Sequence, residues 1–125
     1  MTQEHKDLLL KDLCARLPYN VKIKIKTYED IDEIDSIGTL RQLNKQYFWI
    51  LEDEYERCIE YNKPYLFPLS SMTEEQKDIF GKLWWNTHGV NMAMHAIDYL
   101  NKNHFDYRGL IEKGLALDAT GLNIY

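Results

Sequence analysis

A length of 125 residues, of which 45% are hydrophobic and 28% charged, is typical of one globular domain that forms its core without disulfides or metals. The net charge of −5 disfavours a broad phosphate-binding surface but leaves room for a local basic patch. Because the sequence has no apolar run of about 18 residues and no signal-peptide pattern at its N-terminus, we expect a cytoplasmic protein without a membrane-spanning helix.

The first predicted element is an N-terminal helix within residues 1–18. Apolar side chains recur there at spacings of three and four, with charged residues between them (Leu9, Leu10, Leu13 and Leu17). This pattern predicts a helix over 3–16, and Thr2 is suited to cap its start. Pro18 ends the helix, because the residue before a proline is pushed out of the helical region.

Residues 20–69 are predicted to be rich in short strands. The sequence VKIKIKT at 21–27 alternates apolar residues with three lysines, as a strand with one buried face does. The acidic run at 29–35 is interpreted as a solvated loop. Further extended segments are predicted at 39–43, 46–51 and 65–69, with a short turn of helix or strand at 57–60. Four or five such strands predict a small SH3-like β-barrel, and a meander packed under helices is the alternative.

Residues 70–125 are predicted to be mainly helical. Two overlapping capping signatures, Ser71 with Glu74 and Thr73 with Gln76, predict a helix start. An apolar stripe follows them (Ile79, Phe80, Leu83 and Trp84), and a further helix is predicted over 91–104. The whole chain is therefore predicted to be a single α+β domain, residues 1–125.

The stretch HFDYRGLIEKGLALDA at 104–119 places charged and aromatic residues around two glycines. Asp106 is suited to cap a short helix over 107–113, and Gly114 is suited to end it in the left-handed conformation. Four apolar residues are candidate anchors in the core (Phe105, Leu110, Ile111 and Leu115). We interpret the stretch as a docking element rather than an active site, with His104 as a helix-end residue.

Three blocks of this sequence are familiar as a set: LLLKDLCARLPY (8–19), KPYLFPLSSMTEEQ (63–76) and NHFDYRGLIEKGLALDA (103–119). Together they resemble a family of small uncharacterised proteins from gut Bacteroidetes and from their phages and mobile elements. The second block more often reads KPYLRP in that family, so Phe67 stands where an arginine is usual. The resemblance implies a phage or mobile-element setting and supplies no catalytic residue.

A basic strip on the first predicted strand is the main candidate binding site. Small barrels combine lysines with stacking aromatic residues to hold nucleic acid, whereas edge strands carry lysines to prevent aggregation. The candidate binding residues are the three lysines, the tyrosine after them and two aromatic residues of a later strand (Lys22, Lys24, Lys26, Tyr28, Tyr47 and Trp49).

No motif for metal, cofactor or nucleophilic chemistry is present in the sequence. Cys14 and Cys58 are too few for a disulfide framework or a zinc site, and we interpret both as reduced structural thiols. Asp30, Asp32 and Asp35 of the acidic run are candidate cation ligands, although the run lacks the glycine and the terminal glutamate of an EF-hand. The same run on an SH3-like barrel is also a candidate site for a basic or proline-rich peptide. We expect no catalytic residue, no metal and no cofactor.

Three functional hypotheses follow, in order of preference. The first is a non-enzymatic protein-binding or accessory protein of a phage or mobile element. The second is a nucleic-acid-associated accessory protein that uses the strip of Lys22, Lys24 and Lys26. The third is a small hydrolase, and its one argument is the presence of three histidines in the C-terminal half (His88, His95 and His104).

Overall fold

Three helices and seven short strands make up the part of the chain that the computed structural model describes, residues 1–29, 32–85 and 90–125. The side chains of 27–29, 32–35 and 90–93 lie outside that description. The helices are α1 (Gln3–Arg16), α2 (Glu74–Trp85) and α3 (Val90–Lys102). The strands are β1 (Lys22–Glu29), β2 (Asp32–Leu43), β3 (Tyr47–Ile50), β4 (Arg57–Cys58), β5 (Tyr65–Pro68), β6 (Phe105–Asp106) and β7 (Leu117–Asp118). The predicted α+β class is confirmed, and the single domain over 1–125 stays a prediction.

The N-terminal helix begins and ends where the sequence predicts. The Thr2 hydroxyl accepts a hydrogen bond from the His5 amide at 3.1 Å, which satisfies one of the unpaired N–H groups at the helix start. Beyond α1 the chain continues as one 3₁₀ turn that contains Pro18. Leu9 and Leu13 are buried, so α1 packs its leucine face into the core.

The first four strands form an antiparallel sheet in the order β1-β2-β3-β4, which curls into a half-barrel. A bulge bends β2 opposite β3. The other edge of β1 meets the chain before β5 through a bridge between Ile23 and Pro64 and a hydrogen bond of 2.8 Å from the Lys24 amide to the Lys63 carbonyl. The apolar residues of the alternating segment are buried, as predicted (Val21, Ile23 and Ile25).

The acidic run at 29–35 is not a loop in the part that the structure describes, so that prediction is wrong there. β1 continues to Glu29 and β2 begins at Asp32, so both strands take up part of the run. Residues 30 and 31 lie outside the described residues. The register of β1 with β2 continues through this run, with Lys26 opposite Asp35 and Glu29 opposite Asp32. Asp30 and the side chains of Asp32 and Asp35 lie outside the described part of the chain, and so does the predicted cation site.

A second, very small parallel sheet connects the C-terminal segment to the core. β5 lies in its centre, with β6 on one side and β7 on the other. Phe67 is the register partner of Phe105, and Leu66 is the partner of Asp118. Leu66 and Phe105 are buried, so this sheet contributes to the core. These two strands at 105–118 replace part of the predicted helical region.

The stretch at 104–119 docks on the core as predicted, but the predicted helix over 107–113 does not form. It is replaced by one turn, in which the Leu115 amide donates to the Leu110 carbonyl at 2.9 Å. Gly109 and Gly114 both have positive φ, at +72° and +73°, so the chain reverses at each end before a second helical turn can form. The burial of three predicted anchors confirms the docking interpretation (Phe105, Leu110 and Leu115).

The two later helices differ in how much they contribute to the core. The predicted capping pair of Thr73 and Gln76 is present, with reciprocal hydrogen bonds of 2.8 and 3.1 Å at the start of α2. Ser71 instead donates to the Pro68 carbonyl and lies in a 3₁₀ turn. α3 buries Ala96 and Leu100, whereas none of the residues of α2 is buried. No helix of the described residues is long and apolar enough to cross a membrane.

Candidate functional site

The predicted lysine strip lies on the outer side of β1. Lys22 and Lys24 are half-buried and Lys26 is exposed. The Lys22 ammonium donates a hydrogen bond of 2.7 Å to the Thr39 hydroxyl on β2. Lys24 and Lys26 also interact with neighbouring groups, so the strip is part of a surface of mixed charge.

Two of the aromatic residues predicted to accompany the strip, Tyr47 and Trp49, lie on β3, which β2 separates from β1. Trp49 is the register partner of Gln42, at the end of β2 far from Lys26 but only three positions from Thr39, the partner of Lys22. Tyr47, two residues before Trp49 on β3, is also at that far end, and it lines a separate cleft. The side chain of Tyr28 lies outside the described residues.

A different aromatic residue, Tyr61, lies beside two of the lysines. Its side chain is 66% exposed, and it lines a cleft together with Lys24, Lys26 and Lys63. The sequence carries no periodic signal for this arrangement. It arises because the segment before β5 crosses the edge of β1, which is a tertiary contact.

A cavity of about 460 Å³ lies at the end of α3 and is called the His104 pocket below. It is lined by residues from β5 to the start of α2, from the end of α3 to β6, and from the last six residues (Phe67, Ser71, Gln76, Lys102, Asn103, His104, Phe105, Thr120, Gly121 and Tyr125). Cavities of about 300–1,000 Å³ are typical of small-molecule sites. A second cavity of the same volume lies around Lys26, Arg57 and Tyr61, and the His104 pocket differs from it in its aromatic lining.

His104 is more constrained than a helix-end residue. Its side chain is buried, its φ is +63°, and its ring stacks on that of Tyr125 with centroids 3.7 Å apart. The Tyr125 hydroxyl accepts from the Lys22 amide at 2.8 Å and donates to the Tyr65 carbonyl at 2.6 Å, which holds the stacking ring in place. His104 is therefore buried, and its interpretation as a surface histidine is wrong.

A lowered pKa keeps the His104 imidazole neutral at neutral pH. Burial, and after it the positive charges of Arg16 and Lys22, lower its pKa from 6.5 to about 4. Burial also raises the pKa of the stacked Tyr125 above its usual range. A neutral ring stacked on a neutral ring gives the pocket a flat aromatic wall.

A pH dependence of stability follows from the lowered pKa of His104. Between pH 6.5 and 4 the unfolded chain binds a proton at this histidine that the folded chain does not, so the stability that it contributes is lost as pH falls. We expect wild type to lose up to about 3 kcal/mol more than His104→Asn between pH 7 and pH 4. Asparagine tolerates positive φ, and all carboxylates are common to both proteins. Urea unfolding at each pH measures the difference, and equal losses would contradict it.

A buried charge cluster lies near the pocket. Asp12 and Arg16, four residues apart on α1, are both fully buried and form two hydrogen bonds of 2.7 and 3.1 Å. Arg16 also donates to the Phe105 carbonyl at 2.6 Å. Arg108 donates at 2.9 Å to Oδ1 of the same Asp12 carboxylate, the oxygen that Arg16 Nη2 also binds. Two guanidinium groups thus share one carboxylate, which leaves an excess of positive charge.

The charge cluster connects the first and third sequence blocks, and sequence reasoning missed it. Tyr107 lies between the two guanidinium groups, whose carbon atoms are 5.3 and 4.6 Å from its ring centroid. Its hydroxyl donates to Asn101 at 2.9 Å. One signal was available in the sequence, because Asp12 is a charged residue beside Leu9 and Leu13 on the apolar face of α1.

An exposed apolar surface on α2 is the third candidate. The α2 apolar face consists of Ile79, Phe80, Trp84 and Trp85. Ile79, Trp84 and Trp85 are 39%, 46% and 78% exposed, and the rings of Phe80 and Trp84 stack at 6.1 Å. Ile79, Phe80 and Trp84 belong to the predicted stripe, whose fourth member is Leu83, and Trp85 lies outside that prediction. α2 packs mainly on α3.

The described part of the chain has no site for metal binding or for thiol chemistry. No group of three histidine, cysteine or carboxylate side chains there could hold a metal ion. Both cysteines are free, and the exposed position of Cys14 contradicts its interpretation as a buried structural thiol. His95 is exposed, and His88 lies outside the described residues. His104 Nδ1 is buried without a hydrogen-bond partner among the described residues, so it has no carboxylate of the kind that orients a catalytic base there.

Comparisons of this chain with protein-family models, with curated proteins and with solved structures give no match. The resemblance of the three sequence blocks to proteins of gut Bacteroidetes and their mobile elements therefore stays a prediction. The candidate function depends on the three surfaces alone.

Proposed function

We propose that this chain is a non-enzymatic binding protein that holds a protein partner on the α2 apolar face. The observation that carries the proposal is the exposure of Trp84 and Trp85, at 46% and 78%, on a helix without a buried residue. Contiguous exposed apolar surface is rare on monomeric proteins and marks interaction sites. Tryptophan is also the side chain that most often dominates the binding energy of protein interfaces.

The charges around this face favour a particular kind of partner, an amphipathic helix with basic residues at its edges. Lys77 and Lys82 are each paired within α2, with Glu74 at 3.3 Å and Asp78 at 3.1 Å. The carboxylate of Glu75 is then left over, so α2 is acidic, as the whole chain is with its net charge of −5. Helices bind apolar grooves and faces through their own apolar stripe, and complementary charge at the rim speeds and orients that encounter.

The same proposal includes a phage or mobile-element origin and an SH3-like fold for the chain. The three sequence blocks support a cytoplasmic accessory protein of a phage or mobile element. The antiparallel order of β1 to β4 and the bridge between Ile23 and Pro64, which brings the sheet towards closure, support a small SH3-like barrel. On such a barrel α1 fills the open side.

A substitution on α2 tests the partner site. Trp84→Ala with Trp85→Ala removes exposed side chains, so we expect the free energy of unfolding to change by only about 0.5 kcal/mol. A matched control replaces two equally exposed residues elsewhere, Leu51→Ala with Tyr55→Ala. A partner isolated from host cells after nuclease treatment, then purified, is expected to bind wild type and the control and to lose at least about tenfold in affinity for the tryptophan variant.

Two outcomes of that experiment contradict the proposal. Unchanged affinity of the purified partner for the tryptophan variant would place the binding site elsewhere. Sedimentation of the free chain provides the other outcome. If wild type sediments as a dimer and the tryptophan variant as a monomer, a second copy of the chain covers α2.

Nucleic acid is the second candidate partner, and the cleft of Lys24, Lys26 and Lys63 around the exposed Tyr61 favours it. Aromatic stacking beside positive charge is the usual means of holding single strands. The lining of the same cleft weighs against it, because it includes Glu60. A carboxylate at that position repels phosphates.

A mobility-shift assay distinguishes the two candidates. We expect wild type to give no salt-sensitive shift of single- or double-stranded probes at low salt, because Glu60 in the cleft and the net negative charge of the chain offset the lysines. A shift that is lost in the triple variant Lys24→Glu, Lys26→Glu and Lys63→Glu would establish the nucleic-acid function instead. Lys11→Glu, an exposed change on α1, is the control for non-specific charge effects.

A further inference from the structure

The His104 pocket is independent of the partner-binding proposal and has the features of a ligand site. Its volume of about 460 Å³ matches that of a small molecule. Its walls come from segments distant in the chain, and the hydrogen bonds of the Tyr125 hydroxyl to the Lys22 amide and the Tyr65 carbonyl hold one wall in place. The pocket is therefore formed before any ligand enters it.

One side of the pocket is aromatic. The Phe67 ring lies 6.2 Å from that of Phe105 and 5.7 Å from that of Tyr125, and Tyr125 stacks on His104. Phe105 and His104 are buried, so they support this wall rather than form its surface. The accessible part is Tyr125, 40% exposed, with the half-buried Phe67, and neither of these rings carries a charge at neutral pH. Flat aromatic walls bind planar ligands by stacking.

The other side of the pocket is polar and positively charged. Lys102 is exposed, and no acidic residue is among those that line the pocket. Next to the pocket, Arg16 and Arg108 share the single carboxylate of Asp12. The charges of Arg16 and Lys22 are also felt at His104, where both lower its pKa. A cavity whose described lining has one cationic side chain and no aspartate or glutamate side chain is complementary to an anion.

We propose that the His104 pocket binds a small anion that carries a flat ring, with the ring against the aromatic wall and the anionic group near Lys102. A mononucleotide and an aromatic carboxylate share this chemistry. Gln76 lies on the same lining, and its NH₂ group supplies a further donor while its Oε1 accepts from the Thr73 amide.

Titration of the ¹⁵N-labelled 125-residue chain with adenosine monophosphate and with benzoate tests the proposal. We expect at least one of these probes to shift the amide signals of residues 102–105 and 120–121. The uncharged relatives, adenosine and benzyl alcohol, and inorganic phosphate are expected to bind at least about tenfold more weakly. Lys102→Gln is expected to weaken the anion about tenfold, because a hydrogen bond to a charged group is lost. Lys11→Gln, an exposed lysine on α1, is the matched control and is expected to change nothing.

Each outcome of the titration decides a part of the proposal. Binding of one anion alone identifies whether a phosphate or a carboxylate is preferred. The proposal is overturned if neither anion shifts the pocket signals, or if the uncharged relatives bind equally well. It is also overturned if inorganic phosphate alone binds equally well, or if Lys102→Gln and Lys11→Gln behave alike. Both lysines are exposed, and the spectra themselves report that each variant is folded.

Discussion

Replacing Asp12 by alanine is expected to destabilise this protein by about 3–5 kcal/mol, because it leaves the buried Arg16 guanidinium without its counter-ion. Both side chains are fully buried, and two hydrogen bonds of 2.7 and 3.1 Å join them. Removing one partner of such a pair costs more than the pair itself contributes, since the remaining charge is stranded in a medium of low polarity. Urea denaturation of wild type and Asp12→Ala measures the effect.

A double variant separates the stranded charge from the loss of packing. Asp12→Leu with Arg16→Met replaces the buried pair with apolar groups, and buried ion pairs replaced in this way are often neutral in stability. We expect the double variant to recover most of the stability that Asp12→Ala loses. A loss below about 1 kcal/mol in Asp12→Ala would mean that water compensates the Arg16 charge, contrary to the complete burial of that side chain.

Leu110→Ala is expected to cost about 2–5 kcal/mol, the usual cost of truncating a buried aliphatic side chain. Leu110 has no exposed surface and belongs to the main core cluster. The Asp106 carboxylate holds its turn in place by accepting hydrogen bonds of 2.9 Å from the amides of Leu110 and Ile111. Asp106→Ala is therefore expected to cost about 1–3 kcal/mol, since two buried amides lose their acceptor.

The matched control for the core leucine is Leu122→Ala, since Leu122 is 49% exposed. We expect its midpoint of urea unfolding to differ little from that of wild type, within about 0.5 kcal/mol. Equal effects of the two leucine substitutions would contradict the docking of the C-terminal stretch on the core.

The features that the sequence predicts well are those encoded by neighbouring residues. Thr2 and Pro18 bound α1 through contacts within one turn, and the reciprocal bonds of Thr73 and Gln76 mark the start of α2. Gly114 takes the left-handed conformation that was expected of it. Each of these depends on a backbone preference or a hydrogen bond over three or four residues, which a local pattern contains.

The features that the sequence does not predict depend on contacts between distant segments. The acidic run becomes a hairpin because β1 supplies cross-strand partners for it, and β5 finds two parallel neighbours almost 40 and 50 residues further along the chain. Asp12 is stable at a buried position only because Arg108, 96 residues later, joins Arg16 in binding it. His104 is buried because Tyr125 covers it. No local pattern encodes these pairings.

The central claim is that Trp84 and Trp85 are exposed in the free protein and covered by a protein partner. Trp49→Phe leaves these two indoles as the only tryptophans in the chain, so their fluorescence can be followed with the purified partner. In the free chain we expect a red-shifted emission that acrylamide quenches readily. When the partner binds, we expect the emission to shift to the blue and to be protected from acrylamide. Emission and quenching that stay the same in the complex would contradict it.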